Sequence, residues 1–325
     1  MTPGEISIAI TVFDRRDYIR QAIAHALEQT MPVRVIVVED CGPDPAMQSF
    51  VSSCFGEPIV YYRNARRRGL FGNWNACLEL CGTPWLCICH DDDFLEPTFV
   101  EAMVELSGKI PGRGLYYGAC NVIDGKGEPL KAPHRQKTAQ YWDMDLIRAA
   151  INNPVAFPGE LFRADYTRDL GGFCPNSLFA GDWDLWMKLA AVYGAAGTSR
   201  VVGNSRTHTH PGRGTTRVER SGKRLGLANM QSKKNLALLR RRGMGANFDR
   251  DTAASLSPMP MRFLLENAAG LSPRMLAYNC GLLLRSPSPH VFHFVLKVFT
   301  WIFGPGCVRA ASRLWARVRS GPLRT

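Results

Sequence analysis

Apolar and polar positions in the first 110 residues follow two alternating patterns. Continuous apolar runs, most of them rich in β-branched residues, sit at 6–13 (ISIAITVF), 33–38 (VRVIVV), 59–62 (IVYY) and 85–89 (WLCIC). Strands buried on both faces read this way. Between the runs, apolar positions recur at helical spacing. Tyr18, Ile19, Ala22, Ile23, Ala26 and Leu27 line one face of a first helix, and a second is predicted near 45–54 after a turn at Gly42–Pro45. A third spans about 71–81, with Leu70, Trp74, Cys77 and Leu78 as its apolar stripe. A fourth starts near Pro97, where a missing N–H costs nothing. Four strand–helix alternations predict an α/β fold, with a parallel sheet and helices on both faces. Ligands of such sheets bind beyond the carboxyl ends of the strands. Glu39–Asp40 and Asp91–Asp93 stand at two of those ends.

From 114 to 204 the periodicity weakens. LYYGACNVID, followed by a turn from Asp124 to Gly127, predicts a hairpin. Helical stretches follow near 143–151 and 182–193, and a strand near 199–202. Past 205 the chain turns basic and helical. These changes divide it into an α/β domain over 1–216 and a basic, mainly helical region over 217–325.

Composition narrows the classes. The 325 residues are 46% hydrophobic and 21% charged, as in a folded globular protein. The formal net charge is +12, with basic clusters at Arg66–Arg68, Lys233–Lys234, Arg240–Arg242 and Arg309–Arg319. That balance fits a phosphate-bearing substrate, anionic lipid or nucleic acid. No helix-turn-helix, RRM or zinc pattern is present, and a nucleic-acid binder does not explain acidic clusters at strand ends, so no nucleic-acid partner is expected. The ten cysteines lack CxxC spacing. Cys77, Cys81, Cys87 and Cys89 crowd an apolar stretch and read as buried thiols of a reducing compartment. The first residues lack a basic n-region and a cleavage site, and no uncharged run reaches the about 18–20 residues of a membrane span. A cytoplasmic location is expected.

Three consecutive aspartates in a dry site repel one another, and a divalent cation relieves that repulsion. Mg²⁺ and Mn²⁺ favour oxygen ligands and are often held by one or two carboxylates plus substrate phosphates. On an extended segment alternate side chains point the same way, so Asp91 and Asp93 are expected to face the ligand while Asp92 turns aside. The plain alternative is a solvated acidic turn capping the next helix. Its place after a buried strand favours the metal.

The stretches SIAITVFDRRDYIRQAIAHALEQT, MPVRVIVVEDCG and RNARRRGLFGNWNACLELCGTPWLCICHDDDFLEP together resemble glycosyltransferase family 2. These are inverting nucleotide-sugar enzymes of the GT-A fold, and the likeness covers roughly residues 5–216. It implies a Rossmann-like, mostly parallel sheet flanked by helices, with a helical C-terminal extension. It also implies a Mn²⁺ or Mg²⁺ ion, a nucleoside-diphosphate sugar donor with UDP favoured, and a glycan or lipid-linked acceptor in bacterial cell-surface polysaccharide synthesis. On this resemblance Thr11, Phe13 and Asp14 replace the Pro-x-Tyr-Asn element after the first strand. Glu39 and Asp40 match an acidic pair, with Asp40 accepting a hydrogen bond from the pyrimidine ring. Asn64, Gly69, Asn73 and Asn75 match the segment that closes over the nucleotide, with Arg66, Arg67 and Arg68 beside the diphosphate. Asp91 and Asp93 match the DxD element, Asp93 on the metal and Asp91 near the ribose or sugar. Asp92 between them joins the donor-site set.

Two later segments extend the likeness. Phe179 to Trp186 resembles the Glu-Asp motif at a helix start, with Gly181 in place of the glutamate. Asp182 then aligns with the general base, which takes the acceptor hydroxyl proton as the oxygen attacks the anomeric carbon. A helix dipole keeps such a carboxylate ionised, and desolvation opposes it. Trp183 and Trp186 either offer flat surfaces to a sugar or pack the core. Arg206 to Thr216 (RTHTHPGRGTT) resembles the Arg-x-His-x-x-x-Ser/Thr loop, with His210 as a metal ligand and His208 as the substitute.

Alternatives remain at this level. A nucleotidyltransferase needs a glycine-rich loop after the first strand, and 13–18 reads FDRRDY. A catalytically inactive or regulatory relative would fit the departures at Thr11, Asp14 and Gly181. In the last third, basic residues interleave with Phe292, Phe294, Phe299, Trp301, Phe303 and Trp315. That suits an interfacial helix on an anionic membrane surface, on the inner face of the plasma membrane, or a cap or homodimer surface.

Overall fold

The structure is a computed structural model that describes residues 1–56, 59–131, 139–174, 180–207 and 224–244. Strands β1 (Ile6–Val12), β2 (Arg34–Glu39), β3 (Ile59–Arg63) and β4 (Trp85–His90) are parallel and lie in the order β3-β2-β1-β4. Helices α1 (Arg16–Leu27), α2 (Met47–Phe55) and α3 (Gly69–Leu80) connect them, and α4 (Phe99–Lys109) follows. Every residue of β1 is buried, as a central strand between two helical layers must be. Alternate side chains serve opposite layers. Ala9, Ile36 and Val38 pack on the side of α3, while Ile8, Ile10, Val35 and Val37 pack on the side of α1, α2 and α4.

One member of a predicted stripe is misplaced. Trp74, Cys77 and Leu78 of α3 are buried as predicted, but Leu70 is 53% exposed and Phe71 is buried in its stead. Phe71 stands about 100° round the helix from Leu70.

Beyond β4 the sheet becomes mixed while staying mostly parallel. It continues β4-β9-β6-β10-β5, with β5 (Phe94–Leu95), β6 (Leu115–Ile123), β9 (Glu160–Arg163) and β10 (Ala195–Arg206). β9 runs antiparallel to both β4 and β6, while β6 and β10 are parallel. The predicted hairpin is β6 with β7 (Pro129–Lys131), closed by Asp124, whose Oδ1 accepts from the N–H groups of Lys126 and Glu128. The strand predicted at 199–202 is the middle of the longer β10, whose pairing with β6 shifts register twice between Gly197 and Gly203. β8 (Tyr141–Asp143) pairs with the start of β10. Helices α5 (Leu146–Ile151), α6 (Ala164–Asp169), α7 (Gly181–Tyr193) and α8 (Arg224–Arg241) complete the described elements.

Aromatic packing ties α7 to the sheet. Trp186 is 1% exposed and lies 5.2 Å from Phe162 and 5.9 Å from Phe173, and Phe173 in turn meets Trp74 at 5.0 Å. Trp183 is also buried, and its Nε1 donates to the Ala149 carbonyl. Both tryptophans are core residues, not sugar platforms. Burial pushes the Cys77, Cys87 and Cys89 thiols up, which keeps them inert.

Helix α8 packs on α5 and α7, and Gln231 Nε2 donates to Asp184 Oδ1. The proposed boundary at 216 and the aromatic-basic segment after 285 lie outside the described residues. Among the described residues no helix is long and apolar enough to cross a membrane.

Trp186→Ala should cost about 3–5 kcal/mol through the cavity it leaves, read as the midpoint of urea denaturation. Trp186→Phe should cost much less, because the buried Nε1 has no hydrogen-bond partner to lose.

Candidate functional site

The carboxyl ends of β1, β2 and β4 bring most of the predicted residues together. Asp91 N–H donates to the Thr11 carbonyl, and Asp40 N–H to the Val12 carbonyl, so the three strand ends are stitched side by side. A Cβ on Gly42 would lie 1.8 Å from the Phe13 carbonyl oxygen. Only glycine lets the loop after β2 approach the loop after β1 so closely.

Neighbouring acids after β2 do different work. Glu39 is fully buried, and its carboxylate accepts from Gly42 N–H at 2.9 Å, from Tyr61 Oη at 2.6 Å and from Arg63 Nη1. Asp40 accepts from the backbone N–H groups of Arg68 (2.6 Å) and Gly69 (2.9 Å), at the start of α3. Its charge thus sits at a helix N-terminus, where it is stabilised. Asn64 Nδ2 bridges from Asp40 to Asn73 Oδ1, and Asn73 Nδ2 donates to the Val38 carbonyl. Asn73 is therefore a brace beneath the pocket. Asn75 is spent elsewhere, with both ends of its amide on the Phe173 backbone. The Arg68 guanidinium turns to a bidentate pair with Glu79, while Arg67 lies 4.2 Å over the Phe13 ring. Asp14 is partly exposed in the loop after β1, where its charge acts on Arg15.

The acidic turn after β4 differs from the expected alternation. Asp93 N–H donates back to the His90 carbonyl, closing a turn, so residues 91–93 are not extended and the period of two does not apply. Asp91 lies against Arg15, whose Nη2 is 2.8 Å from Oδ1 as an ion pair off the hydrogen-bond direction. Asp92 pairs with Arg15 Nη1. Asp93 accepts from Arg206 N–H at 2.7 Å, and its other oxygen lies 3.2 Å from His90 Nδ1. Ligand atoms of His90, Asp92 and Asp93 all lie within 4.8 Å of one another. The group that could hold an ion is thus His90, Asp92 and Asp93, of which Asp93 is the metal ligand implied by the resemblance.

The electrostatics ask for a cation here. Burial, with Asp92 adding to it and Arg15 opposing it, raises the Asp91 carboxyl; burial also raises Asp93 against the pull of His90. Burial works against the His90 imidazolium, but Asp93 and then Asp92 outweigh it and raise it. Neither Asp91 oxygen is in hydrogen-bonding geometry with a donor, and Nε2 of His90 is buried without a partner. The raised Asp93 carboxyl, with Asp92 and the unpartnered Nε2 of His90 beside it, fits a divalent ion.

Sequence reasoning missed Arg15, His90 and the part played by Arg206. Arg206 is 2% exposed and reaches the Asp92, Asp124 and Gly125 carbonyls and Gln21 Oε1, over the Tyr18 ring. A basic residue beside an acidic strand end was the available signal. His210 and His208 lie outside the described residues.

Asp182 is the second residue of α7, behind the Ala180 cap position, and keeps some contact with solvent. Its Oδ2 lies 3.3 Å from Asn153 Nδ2. Burial pushes its carboxyl up to about 6, against the pull of backbone N–H groups and of His90. Desolvation therefore outweighs the helix start. Gly181 has a steric reason, since a Cβ there would lie 2.4 Å from Phe71 Cε1. An aromatic wall joins the two halves of the site. Trp74 stacks on His90 at 5.5 Å, and Phe157 lies 5.0 Å from His90 and 5.7 Å from Trp186.

Comparison with known proteins bears on the family and the fold. Residues 7–162 match the family model described as glycosyl transferase family 2. An uncharacterized glycosyltransferase of Rickettsia felis is 25% identical over 211 residues, 64% of this chain and 35% of the relative. Chondroitin synthase of Escherichia coli is 22% identical over 188 residues, 58% of this chain and 26% of that protein. The chain thus spans about a third of the length of the first of these relatives. Among solved structures, Staphylococcus aureus TarS 1–349 with UDP-GlcNAc superposes with a TM-score of 0.62 at 12% identity, over 91% of this chain and 85% of that one. The same protein with UDP gives 0.60 at 13% identity, over 94% and 87%. The shared fold is GT-A.

Gly42→Ala should push apart the loops after β1 and β2 and cost about 1–3 kcal/mol of stability, read as the midpoint of urea denaturation.

Proposed function

Because the chain belongs to glycosyltransferase family 2 through residues 7–162, we propose that it moves a sugar from a nucleoside-diphosphate donor to a hydroxyl of a glycan or lipid-linked acceptor. The donor carries UDP, and the reaction inverts the anomeric carbon with Mn²⁺ or Mg²⁺ as cofactor. Support for UDP is the likeness to TarS, a protein solved with UDP and UDP-GlcNAc. One observation carries the reading: a desolvated carboxyl, Asp182 at the start of α7, feels the charge of His90, the residue that leads into the acidic turn.

In this reading the nucleoside lies over the ends of β1 and β2, between Phe13 and Asp40. Asp40 is already fixed by α3, so it meets the base without reorganising. Asp92 and Asp93, with His90, would hold the ion, which when bound would supply positive charge against the leaving diphosphate. Asp182 accepts the acceptor proton through a carboxylate oriented by Asn153. Its pKa near 6 leaves it ionised yet basic at neutral pH. The basic region after 217 turns the site toward a lipid-linked acceptor on an anionic, cytoplasmic-facing membrane surface, or forms a homodimer contact. The place of the reaction is bacterial cell-surface polysaccharide synthesis.

Calorimetric titration of UDP, GDP, CDP and TDP, with and without Mn²⁺, tests the donor site. UDP should bind in a Mn²⁺-dependent way and Asp93→Ala should lose that dependence, whereas metal-independent binding, or none, defeats the reading.

A second expectation concerns protons. Asp182 works only when ionised, so kcat/KM should rise with pH, bend near about pH 6 and stay level above it. Asp182→Asn should lower kcat by about 10²–10⁴ while leaving the UDP affinity unchanged.

A further inference from the structure

We propose that His90 binds the donor-site ion directly through nitrogen and thereby biases the site toward Mn²⁺ and later transition ions over Mg²⁺. The inference rests on the reading of this site as one that holds a divalent ion.

His90 is the last residue of β4, so its backbone is fixed by the ladder with β1, where it pairs with Thr11. Its ring is also held. Trp74 stacks on it with planes 17° apart, and Phe157 covers it at 34°. Between these rings the imidazole has little freedom to swing out. Nδ1 faces the acidic turn, 3.2 Å from Asp93 Oδ2, and Nε2 is buried with no hydrogen-bond partner. Arg206 N–H takes Asp93 Oδ1, which leaves Oδ2 on the side of His90 Nδ1, so a nitrogen and an oxygen donor stand side by side. Atoms bound to one ion at about 2.0–2.2 Å stand at most about 4.4 Å apart. The observed spread of up to 4.8 Å among His90, Asp92 and Asp93 closes with a small side-chain adjustment.

The donor set decides selectivity. Mg²⁺ takes oxygen ligands and sheds water reluctantly, whereas imidazole suits first-row transition ions. Two carboxylates plus one imidazole are thus a poorer Mg²⁺ site than three carboxylates of the same shape. Asp91 does not supply a third oxygen ligand, since it stands outside the group of ligand atoms that lie within 4.8 Å of one another.

Pulsed electron paramagnetic resonance of Mn²⁺ bound with UDP reads the ligand without any turnover. The wild-type spectrum should show ¹⁴N modulation, replaced by the ¹⁵N pattern when histidine is ¹⁵N-labelled. The modulation should vanish in His90→Asn and persist in His210→Asn and His208→Asn. In parallel titrations, the ratio of Mn²⁺ to Mg²⁺ affinity should fall about tenfold in His90→Asp. Bound Mn²⁺ without nitrogen modulation in the wild type, or modulation that survives in His90→Asn, overturns the proposal and leaves the divalent-ion reading standing. No Mn²⁺ bound to the wild type with UDP overturns both.

Discussion

The structure depends on how negative charge is held at the carboxyl end of β4. Three aspartates in succession are each nearly buried, and a lone buried carboxylate is expensive. The chain answers with cations from distant elements. Arg15 comes from the loop after β1, and Arg206 closes β10 from the far side of the sheet. Neither is close in sequence to the turn it serves. The strand order puts them there, because β1 is hydrogen-bonded to β4 and β10 carries its end past β5 to the same edge. Breaking such a pair leaves an uncompensated buried charge, which is more costly than never having had the pair. The mixed half of the sheet is therefore part of the site's electrostatics as well as of the core.

The same division of labour recurs after β2. Glu39 and Asp40 are adjacent, yet one is fully enclosed and the other caps a helix. Glu39 spends its carboxylate on Gly42, Tyr61 and Arg63, which fixes the turn that follows. Asp40 spends its own on the first N–H groups of α3. Together with the Asn64–Asn73 bridge, these bonds leave a floor whose polar groups are already oriented. A floor of this kind loses little entropy when a flat, hydrogen-bonding ring settles on it.

How much was legible in the sequence follows from the range of each signal. The first four strands and helices were readable because long apolar runs with clear periods reflect burial on one or both faces. β5, β8 and β9 were not, since two to four residues hold no period. The acidic clusters were legible as chemistry, and Asp40 and Asp93 stand where charge at strand ends placed them. Their partners were not. Asn75 sits on the helix face that meets Phe173, a contact 98 residues away in sequence. The turn at 91–93 reversed which aspartates point together, because a single hydrogen bond from Asp93 to His90 ends the strand geometry. His90 was hidden by standing beside three more conspicuous acids.

Asp182 shows why magnitude, rather than the presence of an effect, decides the chemistry. A helix start favours a carboxylate by about 0.3–1 kcal/mol when the site is exposed. Burial can move a carboxyl by several pH units. At the start of α7 both act on one group, with His90 and Asn153 siding with the dipole, and the carboxyl still rises to about 6. The excess comes from packing. Gly181 lets Phe71 close against the first turn of α7, and Trp183 and Trp186 anchor that turn in the core. A side chain at 181 would hold Phe71 off and admit water beside Asp182. Gly181, which stands where the resemblance would put a glutamate, is thus the residue that lets Phe71 pack close beside the carboxylate.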